Sequence, residues 1–127
     1  MRFRREDTFR YQFEEPVECN FRIIKVEKKD FTSKSGKAQI YDISEGGLKL
    51  TIPLDIPLKG KNIEIEVSFK LNEEDLKVTG ILIWSKNMYT HYSYGVQFTI
   101  DHSLRKKLIE ELKVYSKGIA VIKKKRN

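Results

Sequence analysis

Residues 41–50, Tyr-Asp-Ile-Ser-Glu-Gly-Gly-Leu-Lys-Leu, concentrate the polar chemistry of this chain. Asp42 and Ser44 lie two apart, so on an extended backbone the carboxylate and the hydroxyl project to one side while Ile43 turns to the other. Gly46 and Gly47 follow. A glycine pair permits positive φ and lets another group approach the backbone closely. Leu48, Leu50 and Ile52 then resume an apolar alternation, so the expected product is a polar notch between two strands. A self-contained turn, in which Asp42 and Ser44 cap their own backbone, would use the same residues. One strand upstream, Arg2, Arg4, Arg5 and Arg10 place guanidinium forks that pair well with anions.

Groups of these types suit holding an anionic ligand rather than breaking bonds. His91, His102 and the lone Cys19 offer no metal-ligand spacing, and no Cys/His or Ser/His pairing or phosphate loop accompanies them. An enzyme is the least supported class. The net charge of +7 suits an anionic partner such as a nucleotide, a nucleic acid or an acidic membrane surface. No apolar run approaches the ~20 residues of a membrane span, and Met1-Arg2-Phe3-Arg4-Arg5 leads into charged residues, unlike a signal peptide. With its single cysteine, the chain reads as a soluble, unprocessed cytoplasmic protein.

The elements that must position these groups follow from periodicity. Phe9, Tyr11 and Phe13 alternate with Arg10 and Gln12 as an entering strand that Pro16 ends or places at an edge. Val17, Cys19, Phe21 and Ile23 form a half-buried strand, with Cys19 as a small core residue. Lys25 to Lys37 reads as a hairpin connection through Ser33, Ser35 and Gly36, and Lys37 to Ile43 carries Asp42 and Ser44 to a strand end. Ile63 to Leu71 is the cleanest alternation. After the Asn72–Asp75 turn, Leu76 to Trp84 returns with both faces mostly covered, and Tyr94 to Ile100 makes the last strand. Asp101 or Ser103 caps a helix whose Leu104, Leu108, Leu112 and Tyr115 share a face, with Gly118 as its stop. At 127 residues and 39% hydrophobic content the chain suits one unit, residues 1–127. It divides into an arginine-rich arm over 1–10 that is mobile before a ligand arrives, a small antiparallel barrel over 11–100, a helix over 101–117 and a basic tail over 118–127.

The Asp42-x-Ser44-x-x-Gly47 turn and the Arg4-Arg5 to Arg10 segment together resemble the PilZ family of bacterial cyclic di-GMP receptors. The Gly80–Trp84 and Tyr94–Phe98 strands before the helix extend the resemblance over nearly the whole chain, although its specificity rests on the first two motifs. The resemblance implies an all-β fold, a six-stranded antiparallel barrel with a C-terminal helix, and no cofactor beyond the ligand cyclic di-GMP. It also implies that Arg5 and Arg10 bind phosphates and guanine, with Arg4 as an additional candidate. Asp42 and Ser44 would hydrogen-bond guanine, and Gly47 would let the ligand close on the backbone. The chemistry is apt: guanine offers N7 and O6 acceptors to a guanidinium and Watson–Crick donors to a carboxylate. One departure stands out. The family's arginines are four apart, whereas Arg5 and Arg10 are five apart. A bulge within Glu6-Asp7-Thr8 restores their common side. Arg4 has the right parity, but six extended residues span roughly 20 Å, so the bulge and Arg5 are the favoured solution.

Ordering of the arm over a dianionic ligand would change the surface offered to a protein partner. Two other readings use the same residues. One is a PilZ-like protein-interaction module without nucleotide binding. The other is an oligonucleotide-binding barrel, against which Phe13, Phe21, Phe69, Tyr94 and Phe98 mostly fall in phase with aliphatic core positions.

Overall fold

A computed structural model describes residues 10–58 and 60–126, with side chains through Ile119. The elements in chain order are β1 (Arg10–Val26), β2 (Lys29–Asp30), β3 (Gly36–Ser44), β4 (Gly47–Ile52), β5 (Ile63–Lys70), β6 (Asp75–Asn87), β7 (Tyr92–Phe98) and α1 (His102–Arg126). The strands pair antiparallel in the order β2-β1-β3-β4-β7-β6-β5, and a β1–β5 pairing closes six of them into a barrel. Closure is possible because β1 lends both edges. Cys19, Asn20 and Phe21 face Ala38, Lys37 and Gly36 on β3, and Phe69, Ser68 and Val67 on β5. The six-stranded antiparallel barrel with a C-terminal helix is therefore the fold, with β2 as an addition.

Alternation supplies the interior. Ile63, Ile65, Val67 and Phe69 of β5 are buried between less covered Glu64, Glu66 and Ser68, and Val96 and Phe98 of β7 join them. Each such side chain is worth about 1.5–3 kcal/mol relative to exposure, so a slip of one residue would forfeit a whole face. Leu108 and Leu112 of α1 are fully buried against this core, and Tyr115 meets the rings of Tyr11 and Phe13 edge-on at centroid distances of 6.0 and 5.6 Å. Asp101 caps α1, its Oδ1 accepting the Leu104 N–H at 2.8 Å. Asn72 donates to the Glu111 carbonyl and Oε1, and Lys107 pairs with Glu74, tying the helix to the β5–β6 turn.

Four expectations are corrected. Pro16 does not end a strand: β1 is continuous, and Pro16 takes the edge alternative, in a bulge of Phe13 to Pro16 opposite Tyr41 before the pairing with β5 begins at Cys19, where a missing N–H costs nothing and Phe13 turns toward α1. The hairpin after β1 turns at Glu27 and Lys28, with φ of 53° and 65°, not at the serine-glycine cluster. Neither residue carries the glycine or asparagine signature of that turn. The helix does not stop at Gly118 but continues to Arg126, so the division into a helix over 101–117 and a tail over 118–127 fails; Gly118 keeps a negative φ, and an interior glycine costs a helix only about 1 kcal/mol. Finally, β6 outruns β5, leaving Ile83 and Trp84 exposed where two covered faces were expected. The arm over residues 1–10 lies outside the described residues except for Arg10.

Cys19 is buried, and loss of solvation pushes its thiol from 9.0 up to about 12. The unfolded thiol ionises first as pH rises, so the stability that Cys19 contributes is complete below about 9 and is lost as pH climbs through about 12. At mildly alkaline pH the native protein is expected not to react with a thiol reagent, and to react stoichiometrically once unfolded in guanidinium. Rapid labelling of the native protein would contradict this placement.

Candidate functional site

Asp42 and Ser44 reach their positions through two irregularities. β3 carries an extra residue at Tyr41, between the pairs Ile40–Leu50 and Asp42–Lys49. The bulge resets the alternation, so Ile40 and Ile43 both enter the core while Asp42 and Ser44 face a surface hollow. Across the sheet, Arg10 lies opposite Ser44 and Gln12 opposite Asp42. The Arg10 side chain therefore runs diagonally to Asp42, Nη1 donating to Oδ1 at 2.8 Å. The pair is asymmetric: the Asp42 side chain is 9% exposed and that of Arg10 51%. A nearly covered carboxylate is thus paired with a half-exposed cation at the rim of the hollow.

Ser44 closes the β3–β4 turn. Its Oγ accepts the Gly46 N–H at 3.3 Å and donates to the Gly47 carbonyl at 3.4 Å. The self-capping turn and the polar notch are therefore one structure. Gly47 shows a different constraint from the one anticipated. It does not take positive φ, and a Cβ built there would lie 2.0 Å from the Val96 carbonyl oxygen on β7. The neighbouring strand already demands glycine at this position, before any ligand is considered.

The hollow has a volume of about 320 Å³ and is bordered by Arg10, Asp42, Ser44, Gly47, Lys49 and Trp84, among others. That is the lower end of small-molecule sites. Arg10 and Lys49 outnumber Asp42, which favours an anion carrying hydrogen-bond donors that Asp42 can accept. Trp84 supplies a flat wall because its cross-strand neighbour is Gly95, where a Cβ would stand 2.1 Å from the indole Nε1. A larger hollow of about 900 Å³ lies elsewhere on the barrel, bordered by Glu18, Lys37, Lys70, Asp75 and His91. It mixes both charge signs and contains none of Arg10, Asp42 or Ser44, so size does not decide the site. Among the described residues no group of three or more His, Cys, Asp or Glu could hold a metal ion, and no helix is long and apolar enough to cross a membrane.

Of the residues singled out from sequence, Arg10, Asp42, Ser44 and Gly47 come together here. Arg4 and Arg5 lie outside the described residues. Lys49 and Trp84 were missed. Lys49 was legible, sitting two after Gly47 and so on the same face of β4. Trp84 was not, because its place depends on the register of β6 against β7, which shifts between Leu82 and Trp84. A search of curated proteins returned no match. A family model described as the PilZ domain matches residues 2–113.

Proposed function

Because the chain belongs to the PilZ domain family, whose domains are cyclic di-GMP receptors rather than enzymes, we infer that the hollow beside Arg10 and Asp42 is a cyclic di-GMP site. The observation that carries this reading is the Arg10–Asp42 pair within one hollow shared with Ser44 and Trp84. The guanidinium meets guanine N7 and O6 or a phosphate, and the carboxylate and the serine hydroxyl meet the donors of the Watson–Crick edge. The indole offers a face to stack a base. Arg5 joins Arg10 on the phosphates, and Arg4 is an additional contact. Glycine at position 47 keeps the floor of the hollow at backbone level. The arm over residues 1–10 orders across the bound nucleotide and passes the change to a protein partner.

Calorimetric titration with cyclic di-GMP, cyclic di-AMP and GTP tests the site. Asp42→Ala is expected to cost about 1–3 kcal/mol of cyclic di-GMP affinity without changing the fold, the range for losing a hydrogen bond to a charged group. Adenine lacks the N1 and N2 donors, so cyclic di-AMP should bind much more weakly. Equal affinity for the two dinucleotides would remove Asp42 from recognition. The chain has one tryptophan, so quenching of its fluorescence reports directly on Trp84. Amide exchange over residues 1–10 should slow on binding; unchanged exchange removes the ordering step. Absence of binding to any of the three nucleotides would leave a protein-interaction module.

A further inference from the structure

Past Ile81 the barrel wall loses a strand. The β5–β6 pairing ends with Glu64 opposite Ile81, whereas β6 runs on to Asn87 with β7 alone beside it among the described residues. Residues Ile83, Trp84, Ser85, Lys86 and Asn87 are consecutively exposed. The Met88 N–H donates to the His91 carbonyl at 2.9 Å, which sets the alternation of the hairpin. Lys86 and Trp84 therefore exchange bonds with β7, and Ser85 and Asn87 turn their N–H and C=O groups to the open side. An open, one-sided edge of this length is a template for strand addition unless it is blunted. Here the irregularity between Leu82 and Trp84 lies before the open stretch, and within Ser85–Asn87 the one charged side chain is Lys86, flanked by exposed Ile83, Trp84, Met88 and Tyr89.

Charge selects the occupant. From Leu76 to Ile100 the chain has no Asp or Glu, while Lys77 and Lys86 lie on β6. A second copy would bring its own +7 charge and no carboxylate in this hairpin to meet Lys86. We propose that the free edge of β6 at Ser85–Asn87 takes an extended acidic segment of a partner protein as an added strand. Backbone bonds to Ser85 and Asn87 would supply affinity. Carboxylates near Lys86 would set orientation, and alternate apolar side chains would cover Ile83 or Tyr89. The proposal does not rest on the nucleotide reading, although Trp84 belongs to both the edge and the hollow.

The probe is a fluorescein-labelled peptide of alternating valine and glutamate, compared by anisotropy with its valine-lysine counterpart. Saturable binding of the glutamate peptide alone is expected, with slowed amide exchange at Ser85 and Asn87. Ser85→Pro removes the outward N–H at an edge position that tolerates proline, and should weaken binding by about tenfold or more. Lys86→Glu leaves the backbone intact and should transfer the preference to the lysine peptide, so the test survives if the proline variant misfolds. Equal binding of both peptides, no saturable binding of the glutamate peptide, or undiminished binding by a folded Ser85→Pro variant would overturn the proposal. So would a dimer in sedimentation equilibrium that Ser85→Pro dissociates, which would give the edge to a second copy.

Discussion

Arg10→Ala is expected to weaken cyclic di-GMP binding by about 100-fold or more, the largest effect of any single side chain in the hollow. Two losses combine. The ligand loses a charged fork worth about 1.5–3 kcal/mol, and Asp42, nearly covered, loses the guanidinium 2.8 Å from its oxygen just where the ligand must approach. Truncating one member of a hydrogen-bonded charge pair that the bound ligand would cover costs about 2–5 kcal/mol in binding, and about 3 kcal/mol corresponds to the stated factor. Because the Arg10 side chain is half exposed, the apo fold should melt almost unchanged. Calorimetry on Arg10→Ala, Arg5→Ala and Arg4→Ala orders the arginines: the first two should be severe and the third mild. Arg10→Ala binding within threefold of the parent would refute the site, and a greater loss for Arg4→Ala than for Arg5→Ala would refute the bulge between Arg5 and Arg10.

Gly47→Ala is expected to act on stability before it acts on any ligand. The added methyl would sit 2.0 Å from the Val96 carbonyl oxygen, and both atoms belong to the backbone of paired strands. No rotamer relieves such an overlap. β4 and β7 would have to part at Gly47–Gln97 and Leu48–Val96, in the wall that carries Ser44 and Lys49. A cost of about 2–4 kcal/mol follows, read as a fall of roughly 10–20 °C in melting temperature. Gly118→Ala is the control. Nothing lies within 4 Å of a Cβ there, the residue is helical, and the substitution should stabilise the chain by up to about 1 kcal/mol. If Gly47→Ala keeps the parent melting temperature and loses only cyclic di-GMP binding, the glycine serves the ligand and the packing argument is wrong.

The two experiments separate what the polar motif does from what it is built on. Asp42 and Ser44 line the hollow, and on the proposed reading they face the ligand and their loss should spare the fold, whereas Gly47, three residues after Ser44, belongs to the wall. A motif written as Asp-x-Ser-x-x-Gly thus joins residues under different physical constraints.

Local pattern alone determined that β5 alternates from Ile63 to Phe69, that Leu108 and Leu112 share a buried face, that Asp101 or Ser103 caps the helix, of which the structure uses Asp101, and that Asp42 and Ser44 point away from Ile43. These follow from the strand period of two, the helix period of 3.6 and hydrogen bonds a few residues long, all of which are written in neighbouring side chains. Tertiary structure decided the rest. The bulges at Phe13–Pro16 and Tyr41 leave no mark on composition, because an unpaired residue is recognised only against its partner strand. Trp84 meets Gly95 only through the β6–β7 register, Gly47 is held to glycine by a carbonyl 49 positions away on β7, and Arg10 finds Asp42 diagonally across β1 and β3. Such distances are set by which strands pair and where each pairing begins and ends, and no periodicity within one strand records that.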